Sequence, residues 1–350
     1  MANKIYSWAV VGAGPAGIAA VGQLIDLGVK GEDIAWIDPQ FDVGLLGRKW
    51  RSVSSNTRVS LFIKFLEVVA SFHYKDCPND YHIHTLDPAD TCQLAYIVEP
   101  LEWVTEELMK QVQPFKSTVA RIEKSSQGWL LKTSSEKITA KKAILATGSH
   151  ARTMNHDSVP TLPLEDALQI DELYKQVGPD DTVAVFGSSH SAIMIVRDLL
   201  ARPVKKVMNF YRVPLVYAEY LPNGKIRFDS TGLKGRTAIW AKENIDGNHQ
   251  PSNLERYLST PDNIEKYLPE CDQAIYAIGF DRAPITVEDV DVAKYNNKTG
   301  EIAQGLFGVG IAFPELGPDA VGNMEHQVGL WKFMDYLIRV MPGWGVLSGM

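Results

Sequence analysis

The sequence predicts an α/β protein in which two parallel sheets, each wound with helices, follow one another along the chain. Three observations point there. Residues 8–27 run as an apolar strand, a glycine turn and a helix, and a second strand at 34–37 ends in Asp38. The same order recurs at 182–212, and 350 residues are enough to give each copy a full core.

The first copy reads W-A-V-V-G-A-G-P-A-G from Trp8 to Gly17. Residues 8–11 suit a strand buried on both faces. Gly12 permits the tight turn, Gly14 lets a pyrophosphate approach the backbone, and Gly17 lets the helix pack closely on the strand, with Pro15 and Ala16 completing the phosphate-facing turn. Residues 18–27 continue as an amphipathic helix whose N-terminal amides and dipole face the phosphates. Asp38 stands about twenty residues further on, where a carboxylate accepts hydrogen bonds from ribose hydroxyls. Glycines alone would mark only a turn; strand, glycines, helix, second strand and terminal acid in order mark a dinucleotide site.

A 45% hydrophobic and 22% charged composition is that of a soluble globular enzyme. A net charge of −7 with no basic run argues against nucleic acid or an anionic membrane as partner. Cys77, Cys92 and Cys271 are isolated, which predicts free thiols in a reducing compartment and neither a disulfide framework nor a zinc site. The chain enters its first strand without a signal-peptide pattern, and no apolar run reaches bilayer length, so a cytoplasmic protein is expected. The expected partner is a small-molecule substrate, with a homodimer open as an alternative to a monomer.

Residues 39–60 read as a loop in which Gly44 and Gly47 let backbone lie close to a ligand. Asn56 and Thr57 precede an apolar helix at 61–72; taken alone they are a polar loop and a helix cap, and Trp50 is a core aromatic. His73, His82 and His84 lie close in sequence, but His82 and His84 alternate as in a strand and nothing completes a ligand set, so no metal is expected. Pro88 and Pro100 each open a helix, giving 89–98 and 101–112. Three strands follow at 118–123, 128–133 and 138–145, the last running into A-T-G, Ala146 to Gly148.

A small antiparallel meander ending in an apolar strand and A-T-G resembles the FAD domains of two-dinucleotide flavoproteins, which include thioredoxin-reductase-like enzymes and flavin-containing monooxygenases. The resemblance implies two Rossmann-like dinucleotide-binding domains, the FAD domain carrying the meander and the NAD(P) domain inserted in it. It implies that Val119 opens the meander near the adenine, that Thr147 and Gly148 lie close to the FAD, and that Gln40, Arg48, Trp50 and Thr57 join its contacts. The polar linker at 149–163 marks the crossing, giving an FAD-binding part at 1–155 with 283–350 and an NAD(P)-binding part at 156–282.

In the second copy the turn is Gly187, Ser188, Ser189 and His190, with Ser189 at the middle glycine's place and Ala192 at the last. A side chain at the middle position holds a pyrophosphate further from the backbone. Arg212 stands where an acid would end the second strand, and a guanidinium pairs with a 2′-phosphate, so NADPH is preferred over NADH; the rival reading is a solvated surface arginine. His190 is read as a turn residue. Asn223-Gly224 reads as a hairpin, 233–243 as a helix, 244–269 as a long connection, and 273–278 as a strand ending at Gly279 and Phe280, which closes the nucleotide domain. In the resembled superfamily the last strand ends in Gly-Asp; Gly310 matches, but Ile311 replaces the aspartate that binds the ribityl chain or a phosphate. Gln327 and Val328 match the start of the helix that points at the isoalloxazine. Leu330, Phe333, Met334, Leu337 and Met341 recur at helical spacing, predicting a core-packed last helix, and 342–350 are expected to cover the flavin edge or a subunit partner.

Without a C-x-x-C, the disulfide-reducing route of thioredoxin reductases is excluded. Residues 47–50 and Asn56-Thr57 resemble a reduced version of flavin-containing monooxygenase segments, and the resemblance implies that Asn56 lies beside the reacting oxygen. Three readings stand: a monooxygenase oxygenating a soft nitrogen or sulfur centre, which is favoured; a reductase passing electrons to a quinone or another diffusible acceptor; and a binding protein without turnover, suggested by Ser189 and Ile311.

Overall fold

The computed structural model describes residues 4–154, 156, 158–222 and 224–346. Strand β1 (Ile5–Val11), helix α1 (Pro15–Asp26) and strand β2 (Ile34–Asp38) form as the sequence dictates, with Trp8, Ala9 and Val10 almost wholly covered. The segment expected as a loop holds a short helix, α2 (Gly44–Lys49), and a strand, β3 (Ser54–Arg58), so Asn56 and Thr57 sit on a strand. The apolar helix α3 is Val59–Glu67, and His82 and His84 lie on a 3₁₀ turn rather than a strand. Tyr74 Oη bonds to His84 Nε2 at 2.7 Å, and among the described residues no side-chain cluster could hold a metal.

β3 pairs with β4 (Thr91–Gln93), and a single helix, α4 (Ala95–Gln111), replaces the two expected helices. Pro100 lies inside it and costs one backbone bond. Ile97, Val98, Leu101, Val104 and Leu108 nevertheless form one continuous buried stripe, and its burial outweighs the lost bond. The edge strand β5 (Gln113–Lys116), not anticipated, pairs in parallel with β2; its Pro114 is tolerated at an edge. β6 (Val119–Ser125), β7 (Gly128–Thr133) and β8 (Lys137–Leu145) form the expected antiparallel meander.

The crossing segment carries β9 (Ser149–Ala151) and two short helices, α5 (Leu164–Ala167) and α6 (Ile170–Gln176). The second sheet is built from β10 (Thr182–Phe186), helix α7 (His190–Leu200) and β11 (Lys206–Tyr211). A small hairpin of β12 (Glu219–Tyr220) and β13 (Ile226–Arg227) precedes α8 (Gly235–Asn244); Asn223, at its expected turn, lies outside the described residues. The expected long connection contains β14 (Leu254–Leu258) and α9 (Pro261–Tyr267), because L-E-R-Y-L alternates well enough to extend the sheet beside β11. β15 (Gln273–Tyr276) completes a four-stranded parallel order β14-β11-β10-β15.

The return crossing, β16 (Phe280–Arg282), pairs antiparallel with β9, and Arg152 binds Asp281 at 2.7 Å, so the two crossings brace each other. β17 (Thr286–Val287), β18 (Glu301–Ala303) and β19 (Leu306–Gly308) then rejoin the first sheet, which has nine strands. A hairpin of β20 (Glu315–Pro318) and β21 (Met324–Gln327) leads into α10 (Leu330–Val340). Gln327 thus ends a strand instead of starting the helix, whose N-cap is Gly329. The buried face of α10 carries Leu330, Phe333, Met334, Tyr336 and Leu337, as its spacing predicts, each worth roughly 1.5–3 kcal/mol if fully covered. Trp344 stacks on Phe307 at 4.3 Å, and Lys142 Nζ binds the carbonyls of Trp344 and Gly345 at 2.8 Å. The tail up to residue 346 is therefore packed on the core of the first sheet; 347–350 lie outside the described residues.

Register fixes where the sites open. Val11 pairs with Ile37 and Leu145, and Leu145 with Gly308, so the turns after β1, β2, β8 and β19 share one edge. Phe186 likewise pairs with Phe210 and Tyr276. Ligands of parallel sheets bind outside such carboxyl ends.

Candidate functional site

At the first turn Gly12 has φ +108°, and a Cβ there would lie 2.3 Å from the Ala146 carbonyl oxygen. A Cβ on Gly17 would lie 1.9 Å from Gly12 O, so both glycines are required by the chain itself. Gly14 differs: its φ of −75° suits any residue, and a Cβ would meet only Val43 O at 3.9 Å. The bare backbone at 14 therefore leaves room for a ligand. No side chain caps α1, whose N1 residue is Pro15, so its first amides face outward to an anion.

Asp38, expected to face a ribose, commits both carboxylate oxygens to backbone amides. Oδ2 accepts from Ala13 N at 2.8 Å, and Oδ1 from Gln40 N and Phe41 N at 2.8 Å each. The side chain is buried and holds the turn in shape. Arg48 donates to the Gln40 side chain and pairs with Asp42 at 2.8 Å. Opposite, Gly310 (φ +79°) approaches Ala16 so closely that a Cβ would lie 2.6 Å from that residue's own, while Ile311 packs against the core. Thr147 Oγ1 is buried without a hydrogen-bond partner among the described residues, and Gly148 has open space around it. An orphaned hydroxyl, an uncapped helix and a bare Gly14 along one edge fit a dinucleotide. Val119, at the start of β6, packs half-buried on the meander's apolar face.

The second turn repeats the first in detail. Gly187 (φ +124°) donates to Phe210 O at 2.8 Å, and a Cβ would lie 2.3 Å from Ala277 O. Asn209, buried and unanticipated, locks the turn by donating to Gly187 O at 2.8 Å and Val185 O at 3.0 Å. Ser189 is the α7 N-cap residue but makes no cap bond, and its side chain is exposed. Arg212 is exposed and has no hydrogen-bond or ion-pair partner among the described residues.

A cavity of about 630 Å³ lies against this turn, lined by Gly187, Ser188, Ser189, Arg212, Gly279 and Asn56. Asn56 reaches it from β3, so a residue far ahead of the second sheet in the chain lines the cavity at the second glycine turn. His190 also lines it, with both ring nitrogens covered and the Ser54 backbone beside the ring. Burial pushes its pKa down to about 4, so the imidazole is neutral near pH 7. Trp50, half-buried, packs against the core around β10 and α7 and edge-on to Phe280 at 6.1 Å.

Beyond Asn56 lies a smaller chamber of about 210 Å³, lined by Asn56, Thr57, Arg58, Tyr220, Val328 and Trp331 among others. One wall is a polar cluster. Asp229 pairs with Lys234 at 2.5 Å and Lys332 at 2.6 Å, and Lys332 also donates to Ser230 Oγ at 2.7 Å. Burial raises the Asp229 pKa, but the two ammonium groups outweigh it and hold the carboxyl below its usual range. Glu325 accepts from Ser230 N at 2.9 Å and Thr231 Oγ1 at 2.5 Å, and Asp319 from Phe228 N at 2.9 Å. Residues 228–234 are thereby clamped to the β20–β21 hairpin and α10. Val328 is exposed at the chamber, and Gln327 Nε2 donates to Gly317 O within the β20–β21 hairpin at 3.3 Å.

The structure thus groups Gly12, Gly14, Pro15, Ala16, Gly17, Thr147, Gly148 and Gly310 on one edge, and Asn56 with Gly187, Ser188, Ser189, Arg212 and Gly279 around one cavity. Trp50 and Gln327 fall outside both. Sequence reasoning missed Arg58, although it carried a signal: Arg58 is the N-cap residue of α3, where Ser, Thr, Asp or Asn is preferred and a positive charge is disfavoured.

All three cysteines are free, and burial pushes the Cys92 and Cys271 thiols up to about 11 and about 12. No helix among the described residues is long and apolar enough to cross a membrane. Residues 6–303 match the family model described as pyridine nucleotide-disulphide oxidoreductase. The chain is 34% identical to the monooxygenase AgnR1 of Paecilomyces divaricatus, over 96% of this chain and 97% of that one. Among solved structures it is similar to an L-lysine 6-monooxygenase from Pseudomonas syringae (TM-score 0.64, 15% identity, 98% of this chain and 99% of that one). It is also similar to the bacillithiol disulfide reductase of Staphylococcus aureus (TM-score 0.62, 13% identity, 99% and 98%). With two glycine turns on two parallel sheets and a family match over most of its length, the chain belongs to the pyridine nucleotide-disulphide oxidoreductase family and is an oxidoreductase without the C-x-x-C pair.

Proposed function

We propose that the chain is an FAD-dependent, NADPH-using monooxygenase that transfers oxygen to a small nucleophilic nitrogen or sulfur centre. In this reading 1–155 with 283–350 hold the flavin and 156–282 the nicotinamide dinucleotide. The observation that carries it is Asn56, a residue that lines both the large cavity at the second glycine turn and the chamber beyond it. One amide therefore serves a nicotinamide on one side and a substrate on the other. The relative named a monooxygenase supports the same reading.

Bound FAD supplies two-electron transfer from NADPH and onward to oxygen. The residues around it bind and orient. The open backbone at Gly14 and the uncapped start of α1 take its pyrophosphate, and the Thr147 hydroxyl finds there the partner it lacks. At the second turn Ser188 and Ser189 offer hydroxyls to the NADPH phosphates, and the unpaired Arg212 guanidinium meets the 2′-phosphate. Asn56 Nδ2 donates a hydrogen bond to the reacting oxygen, and the clamp at 228–234 keeps bulk water from the chamber.

The test is NADPH oxidation in air without substrate. Wild type should turn over slowly, and Asn56→Ala should oxidise NADPH on the order of tenfold faster or more, releasing hydrogen peroxide one for one. Fast quinone reduction that ignores Asn56→Ala would instead make the protein a reductase, and a flavin that neither NADPH nor NADH bleaches would make it a binding protein.

A further inference from the structure

The cations lining the chamber beyond Asn56 are not equivalent. Lys234 and Lys332 both reach Asp229, within 2.6 Å. The Arg58 side chain has no carboxylate and no hydrogen-bond acceptor among the described residues, and its guanidinium lies over the face of Tyr220, 4.7 Å from the ring centre. It is half-buried, and a guanidinium that lines a chamber with five donors and no protein acceptor suits an anion. The nearby start of α3 does not supply the site, because Val59 N and Ser60 N already donate to Asp90 O and Pro88 O at 2.8 and 3.0 Å. Around Arg58 the chamber offers Leu61, Tyr220, Ile226 and Trp331, apolar or aromatic walls contributed by both bodies. Its volume of about 210 Å³ falls below the roughly 300–1,000 Å³ of pockets for drug-sized ligands.

We propose that this chamber is the substrate site and that it selects a small planar molecule bearing an anionic group, held by Arg58 as its specificity residue. The inference deepens the monooxygenase reading and rests on it. Asn56 and Arg58 are two residues apart on one strand, so their Cα atoms are at most about 7 Å apart. An anion on Arg58 therefore sets the far side of a single ring beside Asn56, where oxygen transfer is assigned. Alkylammonium substrates fit poorly, since their charge would face the guanidinium.

Calorimetric titration of the FAD-loaded protein with benzoate, benzyl alcohol and benzylammonium tests this. Benzoate should bind about tenfold tighter than benzyl alcohol, and benzylammonium more weakly than either. Arg58→Gln should abolish the preference for benzoate while leaving benzyl alcohol and NADP affinities unchanged, and Arg58→Lys should restore part of it. Benzylammonium binding as tightly as benzoate, or benzoate binding that ignores Arg58→Gln, would overturn the assignment. So would a loss confined to NADP affinity, which gives the guanidinium to the dinucleotide, or a loss confined to sulfite addition to the flavin, which gives it to the cofactor. Flavin bleaching by NADPH and the peroxide yield of Asn56→Ala, measured on the same preparation, report the monooxygenase reading separately from the binding result.

Discussion

The two glycine turns share one backbone design and differ in what fills it. In each, a glycine with positive φ donates to the end of the neighbouring strand at 2.8 Å and lies against an alanine carbonyl, that of Ala146 or of Ala277. The first turn is stripped to backbone at Gly14 and Gly17, with a carboxylate holding Ala13 N and Pro15 opening the helix. The second carries Ser189, His190 and Ala192 at the corresponding places and is locked by a neutral amide, Asn209. The first geometry suits a cofactor bound through backbone and retained. The second offers side-chain contacts, which suits a dinucleotide that must leave after each turnover.

The largest test of that contrast is Gly17→Ala. Its Cβ would sit 1.9 Å from a carbonyl oxygen that cannot move without opening the turn, so a loss of about 3 kcal/mol is expected together with loss of bound flavin. Urea midpoints and flavin absorbance after gel filtration report both. The mirror change Ala192→Gly should cost only about 1 kcal/mol, the helix penalty of glycine.

His190 gives the second turn a pH dependence of its own. Its folded pKa of about 4 lies below the unfolded value of about 6.5. Between these the unfolded chain binds a proton that the folded chain refuses, so stability falls as pH drops. The loss is about 3 kcal/mol between pH 7 and pH 4 and levels off below about pH 3, once the folded imidazole is protonated too. His190→Gln should remove that share, seen as a shallower fall in the urea midpoint than in wild type.

Arg212 should have a smaller effect, confined to cofactor choice. Arg212→Ala should lower the ratio of kcat/KM for NADPH over NADH about tenfold, the worth of one charge-assisted bond, without moving the melting temperature. An unchanged ratio would leave the guanidinium as a solvated surface group and remove the contrast with Asp38.

Much of this organisation was legible along the chain because it is local. The strand, turn and helix of each copy follow from consecutive residues, as does the last helix from the spacing of Leu330, Phe333 and Leu337. The failures have physical causes. Pro100 was read as a helix start because proline favours the first turn, but the buried stripe on either side of it carried the helix through. β14 was read as connection because its partner, β11, lies more than forty residues away and supplies the hydrogen bonds that make it a strand. Gln327 was aligned with a helix start that the β20–β21 hairpin displaces to Gly329.

The sequence by itself determined two dinucleotide folds, a chain without a redox cysteine pair, and the residues of both glycine turns, since each depends on neighbours within a few residues. Only the tertiary structure decided that Asp38 holds backbone amides, that Asn56 stands between two cavities, and that Arg58 lines one of them unpaired while Lys234 and Lys332 share Asp229. Those facts depend on which charges the fold brings within bonding distance across two bodies and on which it leaves without a partner, and no spacing along one chain encodes a partner's absence.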